Sequence, residues 1–315
     1  PTGPDALDRP RPPRTPSTMN RIASAPCNAR FSLSEPMLIQ TGFDIILTVA
    51  APTQVLSLLQ IHPSRAGDIQ PGSEHFSVDP ALDVQHYQDG FGNRCSRISV
   101  PEGLTEIRLH GAALVHDSGL PDPQHPEARQ LPLHELPNEV LQFLLPSRYC
   151  DFEGDLMQFA WEQFGHTPTG WARVQAICDY VHQHLKFDYQ AACATRTATQ
   201  GWQQGTGVCR DFAHMAVALC RCMNIPARYA TGYLGDIGVP AAPYPMDFSA
   251  WFEVFLEGGW HTFDARHNIP RIGRIVLGYG RDAADVPITM GFGPSELKRF
   301  DVVTDEVTAP EAVSA

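Results

Sequence analysis

Gly205 to Met223 reads Gly-Thr-Gly-Val-Cys-Arg-Asp-Phe-Ala-His-Met-Ala-Val-Ala-Leu-Cys-Arg-Cys-Met, a run that delivers one thiol, Cys209, from a small-residue loop to the first turn of a helix. Behind the thiol, Phe212, Met215, Ala216, Leu219 and Met223 recur at the spacing of one buried helical face. The helix ends near Asn224, and Pro226 blocks its continuation. A thiol at that end meets the positive pole of the helix dipole and unpaired backbone N–H groups, both of which favour thiolate and lower its pKa. The same amides can hold an oxyanion. The chemistry within reach is nucleophilic attack on an acyl carbon. The competing reading is a small buried packing residue, a common role for cysteine.

The elements that must position Cys209 change character along the chain. The first eighteen residues hold six prolines and little to bury, so residues 1–35 are expected to be disordered, and Met19 is a candidate start. From about Gln40 come β-type runs over 43–49, 55–61, 95–100 and 104–115, with Ile107, Leu109, Ala113 and Val115 on one alternating face. Asp89 to Asn93 is turn chemistry. Residues 36–118 therefore read as a small antiparallel β domain, and the proline- and charge-rich 119–135 as a linker. Helical patterns follow over 139–145, 156–164 and 171–185, then the Cys209 helix, then strands over 227–234, 250–256 and 260–264. The last two are joined at Glu257-Gly258-Gly259 as a hairpin. Residues 136–304 thus read as an α+β domain, with 305–315 as a disordered tail.

Composition excludes several function classes. A net charge of −12 argues against nucleic acid or an anionic membrane surface as partner. No apolar run approaches the length of a bilayer span, and no signal-peptide pattern opens the chain. Eight cysteines scattered through an acidic chain of 315 residues suit a reducing compartment, so a cytoplasmic location is expected.

The run GVCRDFAHMAVALCRCMNIPARYATGYL, followed by DFSAWFEVFLEGGWHTFDARHN, resembles the core of the transglutaminase-like superfamily, in particular its bacterial members. The upstream pieces YQDGFGNRCSRISVPEG and LLPSRYC are similar to that group's N-terminal β region and connector, so the resemblance covers roughly residues 36 to 304. It implies a papain-like α+β core with a Cys-His-Asp triad acting on a peptide or protein substrate by acyl transfer or hydrolysis, with no metal or organic cofactor expected. Carried over residue by residue, the nucleophile is Cys209 and the orienting carboxylate is Asp264.

The histidine departs from the pattern. Members of the family read His-Ala-Trp at the start of the first hairpin strand, and this chain reads Ser249-Ala250-Trp251. A serine hydroxyl cannot cycle a proton near neutral pH, as resolution of a thioester requires. Three explanations stay open: a catalytically silent module that keeps the fold and binds a peptide, recruitment of His267, or deliberate replacement of the histidine in an active enzyme. A hairpin centred near Gly258 would bring His267 opposite Ser249. His261 sits on the second hairpin strand. His214 lies about 140° around the helix from Cys209 and points away from it.

Other residues carry weaker signals. Trp202 or Gln203 could complete an oxyanion hole, with loop packing as the alternative. Trp251 is read as the roof of the cleft. Asp211 favours the helix dipole. Cys220 and Cys222 lack a second ligand pair at zinc spacing and point apart. Arg266, Arg271, Arg274 and Arg281 are read as solvated or paired charges, with an acidic substrate group as the alternative ligand.

Overall fold

In the computed structural model, residues 37–307 are described; the proline-rich segment 1–35, Met19 and the tail beyond residue 307 lie outside the described residues. Strand β1 (Met37–Val49) buries every second residue over most of its length, with Ile39, Phe43, Ile45, Leu47 and Val49 facing inward. It is followed by β2 (Thr53–Ser57), β3 (His75–Asp79), β4 (Val84–Gln88), β5 (Arg94–Val100) and β6 (Glu106–Asp117). The run expected as a strand over 55–61 pairs only as far as Ser57. Leu58, Leu59 and Ile61 continue as buried chain without a ladder, because an apolar run alone does not distinguish a strand from a core loop.

The second half contributes α1 (Asp155–Phe164), α2 (Trp171–His184), β7 (Lys186–Phe187), α3 (Ala198–Gln204), β8 (Thr206–Gly207) and α4 (Cys209–Cys222). Strands β9 (Ala227–Tyr233), β10 (Ser249–Leu256), β11 (Gly259–Phe263) and β12 (Ile275–Gly280) then form an antiparallel sheet in the order β11-β10-β9-β12. The segment expected as a helix over 139–145 is a 3-10 turn, Asn138–Leu144, entered directly from Pro137. The expected apolar stripe of α4 is present, but the burial goes further: Asp211 through Cys222 are all buried. A helix buried on all sides is the centre of its domain. Helices α1, α2 and α3 pack around it, and β10 crosses it with Phe252 and Val254 fully buried in the same core.

The chain ends by returning to its beginning. Strand β13 (Thr289–Phe292) joins β2, and β14 (Ser295–Glu306) pairs along β1 from Ser295 opposite Val49 to Glu306 opposite Ile39. The two sheets of the N-terminal half, ordered β14-β1-β6-β3 and β13-β2-β5-β4, each include a strand from the C-terminal end. Thr304, at the boundary between the expected domain and tail, is buried within β14, which runs on through Asp305 and Glu306. Ile275 and Leu277 of β12 share a core with Ile45, Ile98 and Leu109, so one compact unit holds all described residues.

Residues 119–135, read from composition as a linker, are fixed at several points. Asp122 accepts from the Arg271 amide at 2.8 Å and from Arg274 Nε at 2.9 Å. The carbonyl of Ala128 takes the Trp171 amide, and Gln130 Nε2 donates to the carbonyl of Met223 at 2.9 Å. Among the described residues no helix is long and apolar enough to cross a membrane.

Candidate active site

Local interactions fix the entry to α4 tightly. The carboxylate of Asp211 reaches back to the Val208 amide at 2.9 Å, closing the first turn, and takes Arg196 Nη1 at 2.8 Å in a buried ion pair. A Cβ on Gly207 would lie 2.6 Å from that of Asp211, so only glycine fits there. Strand β8 pairs in parallel with β7, and Cys209 emerges two residues after this ribbon ends at Gly207.

Cys209, half-buried, packs against a cluster that includes Ala213, Tyr229 and Ala250. Burial pushes its pKa up, to about 11, with the Asp247 carboxylate adding to the rise; Arg266 and the backbone amides of Ala250 and Arg210 oppose it. Position at a helix N-terminus leads one to expect a lowered value. The structure corrects that, because withdrawal from water outweighs the dipole and the nearby amides. Alkylation of Cys209, followed by peptide mass spectrometry, should therefore keep accelerating past pH 9, with its midpoint well above the ~8.5 of an ordinary thiol. Cys193, whose thiol is shifted down by hydrogen bonding to Thr195, should react first and serves as an internal comparator. A Cys209 midpoint at or below ~8.5 would contradict this reading.

Asp264 follows the last residue of β11 and is 6% exposed. Its Oδ2 accepts from His267 Nδ1 at 2.8 Å and from Arg274 Nη2 at 2.9 Å, while Oδ1 takes the amides of Arg266 and His267, both at 3.0 Å. Burial alone would raise this carboxyl; Arg274 and His267 reverse the sign and hold it far below the ordinary carboxylate range.

His267 reaches Asp264 by a different route from the one the hairpin suggested. The pairing Leu256↔Gly259 to Phe252↔Phe263 is centred one half-residue earlier than Gly258 and stops at Phe263, so His267 is not on a strand opposite Ser249. The chain instead turns, with the Asn268 amide donating to the Asp264 carbonyl at 2.8 Å, and this brings residues 264 and 267 together. Asn268 takes the left-handed conformation, φ 53°, that ends the turn. Its side chain is held by Gln175 and Asp179 of α2 at 2.9 and 2.8 Å. Sequence periodicity carries no signal for such a turn; the asparagine after Arg-His is the one local cue.

Ser249 opens β10 and is 4% exposed, and its Oγ finds no hydrogen-bond partner among the described residues. It shares with His267, Asp247, Arg266 and Tyr189 the wall of a cavity of about 740 Å³. Ala250, in the cluster against which Cys209 packs, is the next residue. Arg266 ties the two sides together: it lies 3.9 Å above the ring of Phe187 and is the charge that most favours the Cys209 thiolate.

The remaining candidates are committed elsewhere. Trp202 Nε1 donates to Tyr180 at 3.0 Å, which corrects its reading as a free oxyanion donor. Gln203 stands exposed on α3. That helix escaped sequence reading although Thr197 and Gln200 form a capping box legible as Thr-x-x-Gln. Trp251 packs with Ala230 and Val276 in a cluster apart from the one that Cys209 joins, which corrects its reading as the roof of the cleft. His214 is fully buried, stacked on Tyr149, and accepts from the Ala283 amide at 3.1 Å; burial drives its pKa down to about 3. His261 bonds to the Glu257 carbonyl. Cys220 and Cys222 are buried in the helical core.

Comparison with known proteins bears on the fold. Residues 158–265 match the family described as the transglutaminase-like superfamily core. An uncharacterized protein of Mycobacterium leprae is 34% identical over 109 residues, covering 32% of this chain and 38% of that relative. An uncharacterized protein of Mycobacterium tuberculosis is 26% identical over 258 residues, 75% of this chain and 81% of its own length. The solved structure described as "a Putative Cysteine Protease from Cytophaga hutchinsonii" superposes with a TM-score of 0.75 at 28% identity, over 88% of this chain and 92% of that one.

Proposed function

We propose that the chain, whose residues 158–265 match the transglutaminase-like superfamily core, is a thiol enzyme acting on peptide or amide bonds through a Cys209 thioester, with His267 oriented by Asp264 as its base. The observation that carries this reading is the 2.8 Å bond from His267 Nδ1 to Asp264 Oδ2, in a wall shared with Ser249. A carboxylate on Nδ1 fixes the tautomer and leaves Nε2 for proton transfer. With a thiol near 11, little thiolate exists at neutral pH, so the proton leaves sulfur as the C–S bond forms. That proton is then given to the departing amine, and water or a second amine takes the acyl group from the thioester.

A second reading is a peptide-binding module without turnover, and the raised Cys209 thiol beside Ser249 favours it. The two readings separate at His267. Under the enzyme reading, His267→Ala and His267→Asn both lower kcat/KM on a peptide-amide substrate by about 10²-fold. Asn retains an N–H for Asp264 but cannot shuttle a proton, so rescue by Asn would reduce His267 to a positioning residue. Wild-type protein that binds peptide and shows no turnover dependent on Cys209 would sink the enzyme reading.

A further inference from the structure

The cavity of about 740 Å³ that holds Ser249 and His267 is walled on one side by the loop leading into β10, residues 236–248, and its charges are unevenly met. Asp236 pairs with Arg271 at 3.7 Å and takes the Ala242 amide at 2.7 Å. His267 is bound to Asp264. Arg266 gives Nη2 to the Tyr244 hydroxyl at 3.1 Å and rests on the ring of Phe187. Asp305 and Glu306 stand exposed at the end of β14, where water and salt screen them.

Asp247 is placed differently. It is half-buried in the same wall, two residues before Ser249, and forms no ion pair among the described residues. Burial raises its pKa, and the Phe248 amide and the charge of Arg266 reverse this only in part. A carboxylate drawn out of water without a direct countercharge favours a cationic ligand. Its charge acts on both Tyr189 and Cys209, so it stands near the aromatic wall and near the nucleophile. Tyr189 and Tyr244, 36% and 38% exposed, meet edge to face at 5.1 Å in that wall. Exposed rings beside an acid suit a long basic side chain, whose stem packs on the aromatic surface while its head pairs with the carboxylate.

We propose that Asp247 makes this part of the cavity a subsite for a positively charged side chain of the peptide, its head on the Asp247 carboxylate and its stem along Tyr189 and Tyr244. The proposal rests on the reading of this cavity as the cleft in which a peptide meets Cys209, and adds to it a preference for basic peptides.

The test is fluorescence anisotropy with the full chain carrying Cys209→Ala, which cannot turn a peptide over. The probes are labelled, capped alanine hexapeptides in which one position, varied in turn, is arginine, norleucine or glutamate. Arginine is chosen because its guanidinium does not serve as the amine that resolves a thioester. The arginine set should bind about tenfold tighter than the norleucine set, the worth of one hydrogen bond to a charged group, and the glutamate set should bind most weakly. Asp247→Asn, which keeps the shape and removes the charge, should bring arginine down to norleucine and leave norleucine unchanged. Equal binding of arginine and norleucine overturns the proposal, and that comparison needs no change at residue 247. An arginine preference that survives Asp247→Asn overturns it as well. Kinetics of the wild type separate the subsite from the enzyme reading. Turnover dependent on Cys209 but indifferent to arginine sinks the subsite alone, whereas the binding preference without turnover sinks the enzyme reading alone.

Discussion

Ser249→His is expected to raise acyl-transfer turnover by about 10²- to 10⁴-fold, the contribution of a positioned proton-transfer group, and to bring the alkylation midpoint of Cys209 down from about 11. Ser249 stands immediately before Ala250, whose amide reaches the Cys209 sulfur. An imidazolium at that position adds a second cation to Arg266, which with the amides of Ala250 and Arg210 now offsets the effect of burial and Asp247. The larger side chain has room, because Ser249 lines a cavity of about 740 Å³ and its hydroxyl gives up no bond on replacement. Steady-state kinetics on a peptide-amide substrate, with the pH profile of alkylation, decides the matter. A folded variant with an unshifted thiol and no gain would show that residue 249 is not the base position. A fall from a measurable wild-type rate would show instead that the new imidazole adds nothing to His267 and competes with it for Asp264.

Much of the fold was legible because the chain writes its periods plainly. Strand β1 alternates strictly, α2 buries Val174, Ile177 and Val181 at helical spacing, and Glu257-Gly258 punctuates the hairpin. What escaped was set by distant partners. Strand β14 finds its place far along the chain, Thr48 bonding to the Glu296 carbonyl 248 residues away as one of its ties to β1, and no local pattern in residues 295–306 announces that pairing. Strands β3 and β4 bury almost nothing and so show no alternation. At the site, residue identity located Cys209 and Asp264, whereas the contact between Asp264 and His267 depends on a turn held by Asn268 and α2. The elevated thiol was illegible for a related reason: burial of Cys209 comes from Tyr229 and Ala250, on two strands far along the chain.

Arg274→Met should cost about 3–5 kcal/mol of folding stability, the penalty for removing one partner of a buried ion pair. That is a large share of the 5–15 kcal/mol typical of a folded domain. Arg274 answers two carboxylates at once, Asp264 through Nη2 and Asp122 through Nε, and both its side chain and that of Asp264 are almost wholly buried. Without it, Asp264 keeps His267 and two backbone amides but loses the guanidinium paired directly with it. The pH dependence carries the same signature. Asp264 has a depressed folded-state pKa, so its stabilisation is fully present above the unfolded value of ~3.9 and is lost as pH falls through the lower folded value. In Arg274→Met the folded value moves back toward the unfolded one, and the acid limb of the stability curve should flatten. Urea unfolding measures both effects, as a lower midpoint at constant slope. The double variant Arg274→Met with Asp264→Asn should be less destabilised than the two single changes added together, because it removes the stranded charge along with its partner. Additive losses, or an Arg274→Met cost below about 0.5 kcal/mol, would show that Asp264 does not depend on the guanidinium, and that its carboxylate is held in place by the turn alone.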